Sequence, residues 1–408
     1  MLRFLTAGES HGQALVAILE GVPSGLTIDP DAITSDLRRR QMGYGRGRRM
    51  AIESDRAQLV SGVRHGQSTG APIALLIPNK DWENWQRTMH VEPAMPESAS
   101  GPDRSPVTRP RPGHADLAGF VKYGHGDIRD VLERASARET AARVAVGAIA
   151  RRLLCCLNTE IMSHVVSIGS VAVHEPFAYS FDEIRSISPE SPLHCVDPDI
   201  EREMMAAIDK ARDAGDTMGG SFEIIARGVP PGLGSYVQWD RKLDGRLAQA
   251  LMSIPAIKAV GIGLGPAVAG LPGSRVHDEI VPIDEAARGQ PSARTSPVLV
   301  GRPTNNAGGL EGGVTNGEAL RVTAFMKPIS TLMKPLRSVD LATMTESPAT
   351  VERSDVCAVP AAAVVGEAMV ALVLADAAIE KFGGDSIDEM TANWQAFQGR
   401  TTSRFGNK

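Results

Sequence analysis

The sequence predicts a fold of mixed strands and helices made of two duplicated halves. Three observations carry this reading. First, "GESHGQALVAILEGVPSGL" (8–26) aligns without a gap on "GDTMGGSFEIIARGVPPGL" (215–233). Gly8, Gly12, Gly21, Val22, Pro23, Gly25 and Leu26 meet Gly215, Gly219, Gly228, Val229, Pro230, Gly232 and Leu233, each at an offset of 207, about half the chain. Second, strand-like and helix-like patterns are interspersed along the chain. Third, nothing in the 408 residues reads as a linker between independent domains. The expectation is one unit over 1–408, with halves of about 1–200 and 201–384 and a frayed tail over 395–408.

The elements follow in order. "ALVAILEGV" (14–22) and "SFEIIARGV" (221–229) read as strands. "PDAITSDLRRRQM" opens a helix with aspartates in its first turn. Residues 96–113 are a Pro- and Ser-rich loop. "DIRDVLERASARETAARVAVGAIARRLL" (127–154) reads as one long helix, rich in helix formers and poor in breakers. "DIEREMMAAIDKARDAG" and "DGRLAQALMS" are helical in pattern, and the Gly/Asn loop 303–317 leads into the alternating strand "LRVTAFM". The apolar stretch 360–384 is interrupted by Glu367 and Asp376, so it predicts a buried helix, stopped at Gly383–Gly384, and no membrane span.

Composition narrows the function classes. Apolar residues are 42%, enough for a large core, but aromatics are only 4%, so Ala, Val, Ile, Leu and Met must fill it. A net charge of −5 argues against a dedicated nucleic-acid binder. Cys155, Cys156, Cys195 and Cys357 have no disulfide-like or metal-like spacing and fit a reducing, cytoplasmic location. The nine histidines lack close ligand spacing, so no metal is expected. No lysine precedes Ser or Thr, which excludes a phosphate-binding P-loop. "GIGLGPAVAG" fails the dinucleotide fingerprint because Pro266 stands at the third glycine.

Several short stretches carry candidate chemistry. In "TAGESHGQ" a glycine-flanked turn presents Ser10 and His11. The second copy has Met218 at the histidine position, so the histidine serves something other than shape. "RRRQMGYGRGRR" packs six arginines with no acid. Like charges at this density suit an anionic ligand, because guanidinium forks bind phosphate and carboxylate two oxygens at a time. A solvated loop and a nucleic-acid patch are the other readings, the latter weakened by a single aromatic, Tyr44. In "TRPRPGHAD" two prolines stiffen the segment that carries Arg109, Arg111 and His114, as either a structured loop or a site. Arg134 and Arg138 fall one helical turn apart: a solvated face partnered by Glu133 and Glu139, or an anion clamp. "MKPISTLMKP" offers Lys327, Ser330 and Thr331 to a phosphate or to turn formation. Arg353 and Asp355 precede the C-terminal apolar helix.

Taken together, "GESHG", "GYGRGRR", "RPRPGHAD", "RASARETAARVA", "AGGLEGG", "MKPIST" and "RSDVCAVPAA" resemble the chorismate synthase family in order and context, from Met1 to about Gly384. The resemblance implies a carbon–oxygen lyase at the last step of the shikimate pathway to chorismate and the aromatic amino acids. Its substrate would be 5-enolpyruvylshikimate-3-phosphate, which loses phosphate and a ring proton in a 1,4 anti-elimination that needs reduced FMN without net redox change. It further implies an α+β fold, a β-α-β sandwich of pseudo-duplicated halves with helices between antiparallel sheets, a homotetramer, and no nucleic-acid or membrane partner.

By the same resemblance, His11, His114 and Asp355 are catalytic. His114 would protonate the leaving phosphate, a transfer between groups of similar reference pKa (~6.5 and ~6). His11 would protonate reduced flavin, and Asp355 would help relay the ring proton. Ser10, Arg40, Arg46, Arg49, Arg111, Arg138 and Arg353 would hold the substrate, with Arg40 and Arg46 alternatively NADPH contacts. Flavin contacts would be Arg134, Ala135, Ser136, Pro255, Ala256, Gly312, Lys327, Pro328, Ile329, Ser330, Thr331 and Arg353. Ala135 stands where many members have Ser, and Ala259 and Gly261 where Gly and Glu are common. With no reductase domain apparent, external reduction of the flavin is expected, NADPH being the candidate reductant.

Overall fold

In the computed structural model, residues 1–47, 55–93, 99–282, 300–352 and 354–406 are described. The chain opens with β1 (Arg3–Ala7) and β2 (Ala14–Glu20), then α1 (Pro30–Gln41), β3 (Gln58–Ser61), the short hairpin β4 (Val63–Arg64) and β5 (Gln67–Ser68), and β6 (Ile73–Pro78). Helices α2 (Asp116–Tyr123), α3 (Arg129–Leu132) and α4 (Thr140–Cys155) close this half. The second half runs β7 (Glu160–Ile168), β8 (Val171–Ala172), α5 (Phe181–Arg185), α6 (Pro198–Asp213), β9 (Gly220–Arg227), α7 (Leu243–Met252) and β10 (Ile257–Ile262). After α8 (Gly273–Val276) come β11 (Val281–Pro282), β12 (Val300–Gly301), the hairpin β13 (Leu310–Glu311) and β14 (Val314–Thr315), β15 (Leu320–Met326), β16 (Arg337–Asp340) and β17 (Thr345–Pro348). Helices α9 (Val359–Phe382) and α10 (Ile387–Gly406) end the chain.

The two main sheets are antiparallel and share one strand order. The first is β1-β2-β6-β3; the second, with β8 added at its edge, is β7-β9-β15-β10. The repeated "GVPxGL" explains itself in hydrogen bonds. Ser68 Oγ donates to the Pro23 carbonyl at 2.6 Å and accepts from the Leu26 amide at 2.9 Å. Thr315 Oγ1 does the same with Pro230 and Leu233, at 2.7 and 2.8 Å. The matched glycines share left-handed backbone, φ 90° and 71° at Gly21 and Gly228 and 81° and 86° at Gly25 and Gly232, where a side chain would be strained. The repeat is therefore one strand-and-turn unit used twice.

The helices lie between the sheets. α4 packs on β2 and β6, α9 packs on β7 and β9, and α4 and α9 pack on each other. Gly147 permits their close approach: a Cβ there would lie 2.3 Å from the Ala368 Cβ. By length and composition α9 is the one described helix apolar enough to cross a membrane, but 83% of its apolar window is buried in the protein. It is a core helix, as expected from Glu367 and Asp376.

Three expectations are corrected. Residues 127–154 are not one helix. Ser136 is extended (φ −64°, ψ 143°) and its side chain caps the Arg138 amide, so a short 3-10 turn, Ala137–Glu139, separates α3 from α4. Local Ser capping outcompetes helix propensity here. The second half begins at β7, residue 160, and not near residue 201. Residues 395–406, read as a frayed tail, continue α10, which buries Trp394.

Candidate active site

A cavity of about 990 Å³ is lined by the first turns of α4 (Thr140) and α9 (Ala361, Ala362, Val365) and by loops from both halves. Helix N-termini present unsatisfied amides and a positive dipole end, which favours anions. The first wall is cationic. Arg40, at the end of α1, is only 3% exposed. Its Nε donates to Thr140 Oγ1 at 2.9 Å and its Nη2 to the Ala137 carbonyl at 2.9 Å. Its Nη1 lies 3.6 Å from Asp55 and makes no hydrogen bond among the described residues. Burial, and the neighbouring charges of Arg46 and Arg138, push this guanidinium down to about 9 against the pull of Asp55. Arg138 Nη1 forks onto Asp55 at 2.6 and 2.7 Å, and its Nε donates to Asn79 Oδ1 at 3.0 Å. Arg46 pairs with Asp355 Oδ2 at 2.7 Å, and the Gly47 amide donates to Asp355 Oδ1 at 2.7 Å.

Each candidate histidine is held through Nδ1 by a buried carboxylate. His11 Nδ1 lies 2.8 and 3.0 Å from the two oxygens of Glu133, whose Oε2 also accepts the His11 backbone amide at 2.8 Å. The ring stacks on Trp85 at 3.8 Å between centroids, with Arg104 over the same indole at 4.0 Å. His114 Nδ1 lies 2.5 Å from Asp116 Oδ1. Asp116 also accepts from Arg111 Nε at 2.8 Å, and Arg111 Nη1 reaches Thr331 Oγ1 at 3.1 Å. Burial would raise the Asp116 pKa, but hydrogen bonds from His114 and Arg111 and their charges outweigh it and hold the carboxyl well below its usual range. The proline-stiffened loop is pinned from outside by Ser338 Oγ, which donates to the Pro110 carbonyl at 2.5 Å.

The opposite wall is more apolar. Leu132, Ile254, Pro255, Ala256, Met326 and Val356 face the cavity, with Lys258, Lys327, Ser330 and Thr331 at its polar margin. Burial, with Lys258 nearby, lowers the Lys327 ammonium from its ordinary value. Thr217, the second-copy counterpart of Ser10, donates to the Ile329 carbonyl at 2.7 Å and so holds the 327–331 loop in place.

Among the sequence-predicted residues, Ser10, His11, Arg40, Arg46, Arg111, His114, Ala135, Ser136, Arg138, Pro255, Ala256, Lys327, Ile329, Ser330, Thr331 and Asp355 line this one cavity. Arg134, Pro328 and Gly312 do not. Arg134 turns back to the Thr6 and Gly8 carbonyls, and Gly312 sits at the tip of the β13–β14 hairpin. Arg49 and Arg353 lie outside the described residues. The solvated-face reading of Arg134 and Arg138 fits the exposed Arg134 alone: Arg138, Glu133 and Glu139 are buried, at 4%, 1% and 8% exposure. Sequence reasoning missed Asp55, Asn79, Trp85, Asp116, Lys258 and Arg212, and it named Glu133 as an arginine partner and not as the partner of His11. Only Asp116 had a local signal, two residues from His114. Among the described residues no cluster of His, Cys, Asp or Glu could hold a metal ion.

A duplicated sandwich whose cavity joins clustered cations to two carboxylate-held histidines has the features of an enzyme site for a small molecule. Known proteins agree. The family model described as chorismate synthase matches residues 2–379. A curated chorismate synthase of Moorella thermoacetica is 56% identical over 401 residues, covering 98% of each chain. That of Solibacter usitatus is 53% identical over 97% of this chain and 98% of its own. A solved structure titled "Crystal Structure of Chorismate Synthase" superposes with a TM-score of 0.76 at 41% identity, covering 98% of both chains. The chain belongs to the chorismate synthase family. Its activity is that of a lyase of chorismate and aromatic biosynthesis acting on a small molecule, in a family with a general requirement for reduced flavin.

One prediction arises from the repeat. Met218 takes the His11 position, its amide donating to the Val356 carbonyl at 2.8 Å, and its side chain does not line the cavity. Met218→Leu nearly conserves volume and should cost at most ~1.5 kcal/mol. Turnover should stay close to wild type; a folded variant with severely reduced kcat would overturn this.

Proposed function

We propose that this cavity converts 5-enolpyruvylshikimate-3-phosphate to chorismate by 1,4 anti-elimination, with reduced FMN bound beside the substrate. The observation that carries the reading is the convergence of Arg40, Arg46, Arg111 and Arg138 with His11 and His114 in one cavity. A substrate with one phosphate and two carboxylates matches that charge. The residues also fit a flavin: the strip from Ile254 to Ala256 with Met326 and Val356 suits a planar apolar ring, and Lys327, Ser330 and Thr331 suit its phosphate. The buried Nη1 of Arg40, without a hydrogen-bond partner among the described residues, marks a donor awaiting an anion. Its depth favours substrate over NADPH as the ligand of Arg40.

The work of each residue follows. Arginine forks orient the anions and offset their desolvation. His114, with Nδ1 on Asp116, presents Nε2 as the proton donor to departing phosphate. His11, with Nδ1 on Glu133, exchanges a proton at Nε2 with the flavin. Asp355, fixed by Arg46 and the Gly47 amide, helps relay the ring proton. Reduced flavin, held by these walls, would supply transient electron density for C–O cleavage. The apolar wall keeps water from the reacting carbons.

The test is anaerobic: chorismate should form from this substrate with chemically reduced FMN and not with oxidised FMN. No product under either condition would overturn the proposal. NADPH alone should not sustain turnover, since an external reductase is expected. Substrate and flavin share walls that come from distant segments, so each should pre-organise the site for the other. FMN should bind at least ~5-fold more tightly with substrate present; equal dissociation constants would sink this coupling.

A cytoplasmic location is consistent with the four free cysteines. A homotetramer is supported by the outer face of the first sheet, where Leu5 (73% exposed), Val60 (67%) and Ile18 (40%) lie bare. Light scattering giving only a monomer would refute it.

A further inference from the structure

We propose that Glu133 is a positioning residue that fixes the His11 tautomer, protonating Nδ1 and reserving Nε2 for the reaction. The inference rests on the active-site reading above and deepens it. Glu133 has a side-chain exposure of 0%, and His11 is the only basic side chain that pairs with it among the described residues. A buried carboxylate with one partner must receive a proton-bearing nitrogen, or it stays uncompensated. Both oxygens lie within 3.0 Å of Nδ1, and neither could accept a hydrogen bond from a bare ring nitrogen.

The clamp also acts on the backbone. Oε2 accepts the His11 amide at 2.8 Å, and the Glu133 carbonyl accepts the Ser10 amide at 3.0 Å. Trp85 fixes the ring plane from the side, stacked at 18°. Position and tautomer are thus set together, which is what a proton-transferring histidine requires.

The duplicated half supplies the contrast. Glu133 stands seven residues before α4 and Glu352 seven residues before α9. The second half therefore keeps a glutamate but has Met218 in place of the histidine. Glutamate is retained in both copies, while the pair is complete only where chemistry is proposed. Ser136 and Asp355 are related by the same spacing, so the second copy contributes its carboxylate to the cavity in another way.

The test uses the full-length protein with 15N-labelled histidine. In wild type, the His11 ring should carry its proton at Nδ1; a ring protonated only at Nε2 overturns the proposal without any variant. Glu133→Gln preserves shape but can donate as well as accept, so His11 should lose its single-tautomer signature. kcat should fall at least ~10-fold, within the range for positioned acid–base groups, while substrate KM stays within about threefold. Wild-type kcat, or a lower kcat with an unchanged His11 signature, would overturn the assignment. The ring spectrum is read without substrate or flavin, so it stands even if the proposed reaction fails.

Discussion

Replacing His114 by alanine is expected to lower kcat by roughly 10²–10⁴-fold, the usual contribution of a positioned general acid. Phosphate leaving without a proton would carry its full developing charge into a site walled from water. The substitution is also clean. Asp116 keeps Arg111 Nε at 2.8 Å, Arg111 Nη2 at 3.1 Å and the Arg111 amide at 3.0 Å, so its carboxylate stays compensated. Stability should change little, and the loss should sit in kcat with a small effect on KM. Phosphate release in a stopped assay with reduced FMN measures it. A variant turning over within threefold of wild type would remove His114 from the chemistry. His11→Ala should lose activity over the same range, but it also strips Glu133 of its side-chain partner, so its activity must be read beside a denaturation curve.

Glu367→Ala should be the most destabilising single change in the helical layer, by about 3–5 kcal/mol. Glu367 sits in the middle of α9 at 1% exposure. Arg39 forks onto it at 2.7 and 2.8 Å, Ser163 Oγ donates at 2.6 Å, and Arg151 lies at 3.3 Å. Removing the carboxylate leaves Arg39 and Arg151 with Asp36 as their one acidic partner among the described residues. Burial would raise the Glu367 pKa, yet the charges of Arg39 and Arg151 and the hydrogen bonds of Arg39 and Ser163 prevail and hold it down to about 2. A carboxyl depressed on folding stabilises the fold above its unfolded value and ceases to do so as pH falls through the folded one. The contribution should be complete above about 4.5 and fade toward about 2. Urea titrations of wild type and Glu367→Gln should therefore converge on acidification across that window. Equal stability of Glu367→Ala and wild type at neutral pH would refute the assignment.

Much of this was legible because it is local. "GVPxGL" repeats as a turn, alternating apolar residues mark β2, β9 and β15, and a glycine pair ends α9. β7 was missed because "EIMSHVVSI" mixes Ser163 and His164 into its apolar run; those polar groups are tolerated only through Glu367 and Glu223, far away in sequence. The break before α4 was missed because propensity cannot weigh one Ser136 cap against a run of helix formers. The arginine stretches pointed to an anion. Their acidic partners Asp55 and Asp116, and the Glu133 that holds His11, were not legible as such, since a carboxylate's role depends on what tertiary structure places beside it. Trp85 belongs with them: nothing near it in sequence foretells a histidine stacked on its face.

The pairing of α4 with α9 has a consequence during synthesis. The groove of α4 that receives α9 is complete by residue 155, but α9 itself spans 359–382. At ~5–20 residues per second, roughly 10–40 s pass between them. The Leu2 amide, donating to Asp376 at 2.6 Å, must likewise wait for nearly the whole chain. The nascent first half therefore emerges with an uncovered apolar helix. It becomes a finished half only after its duplicate has arrived.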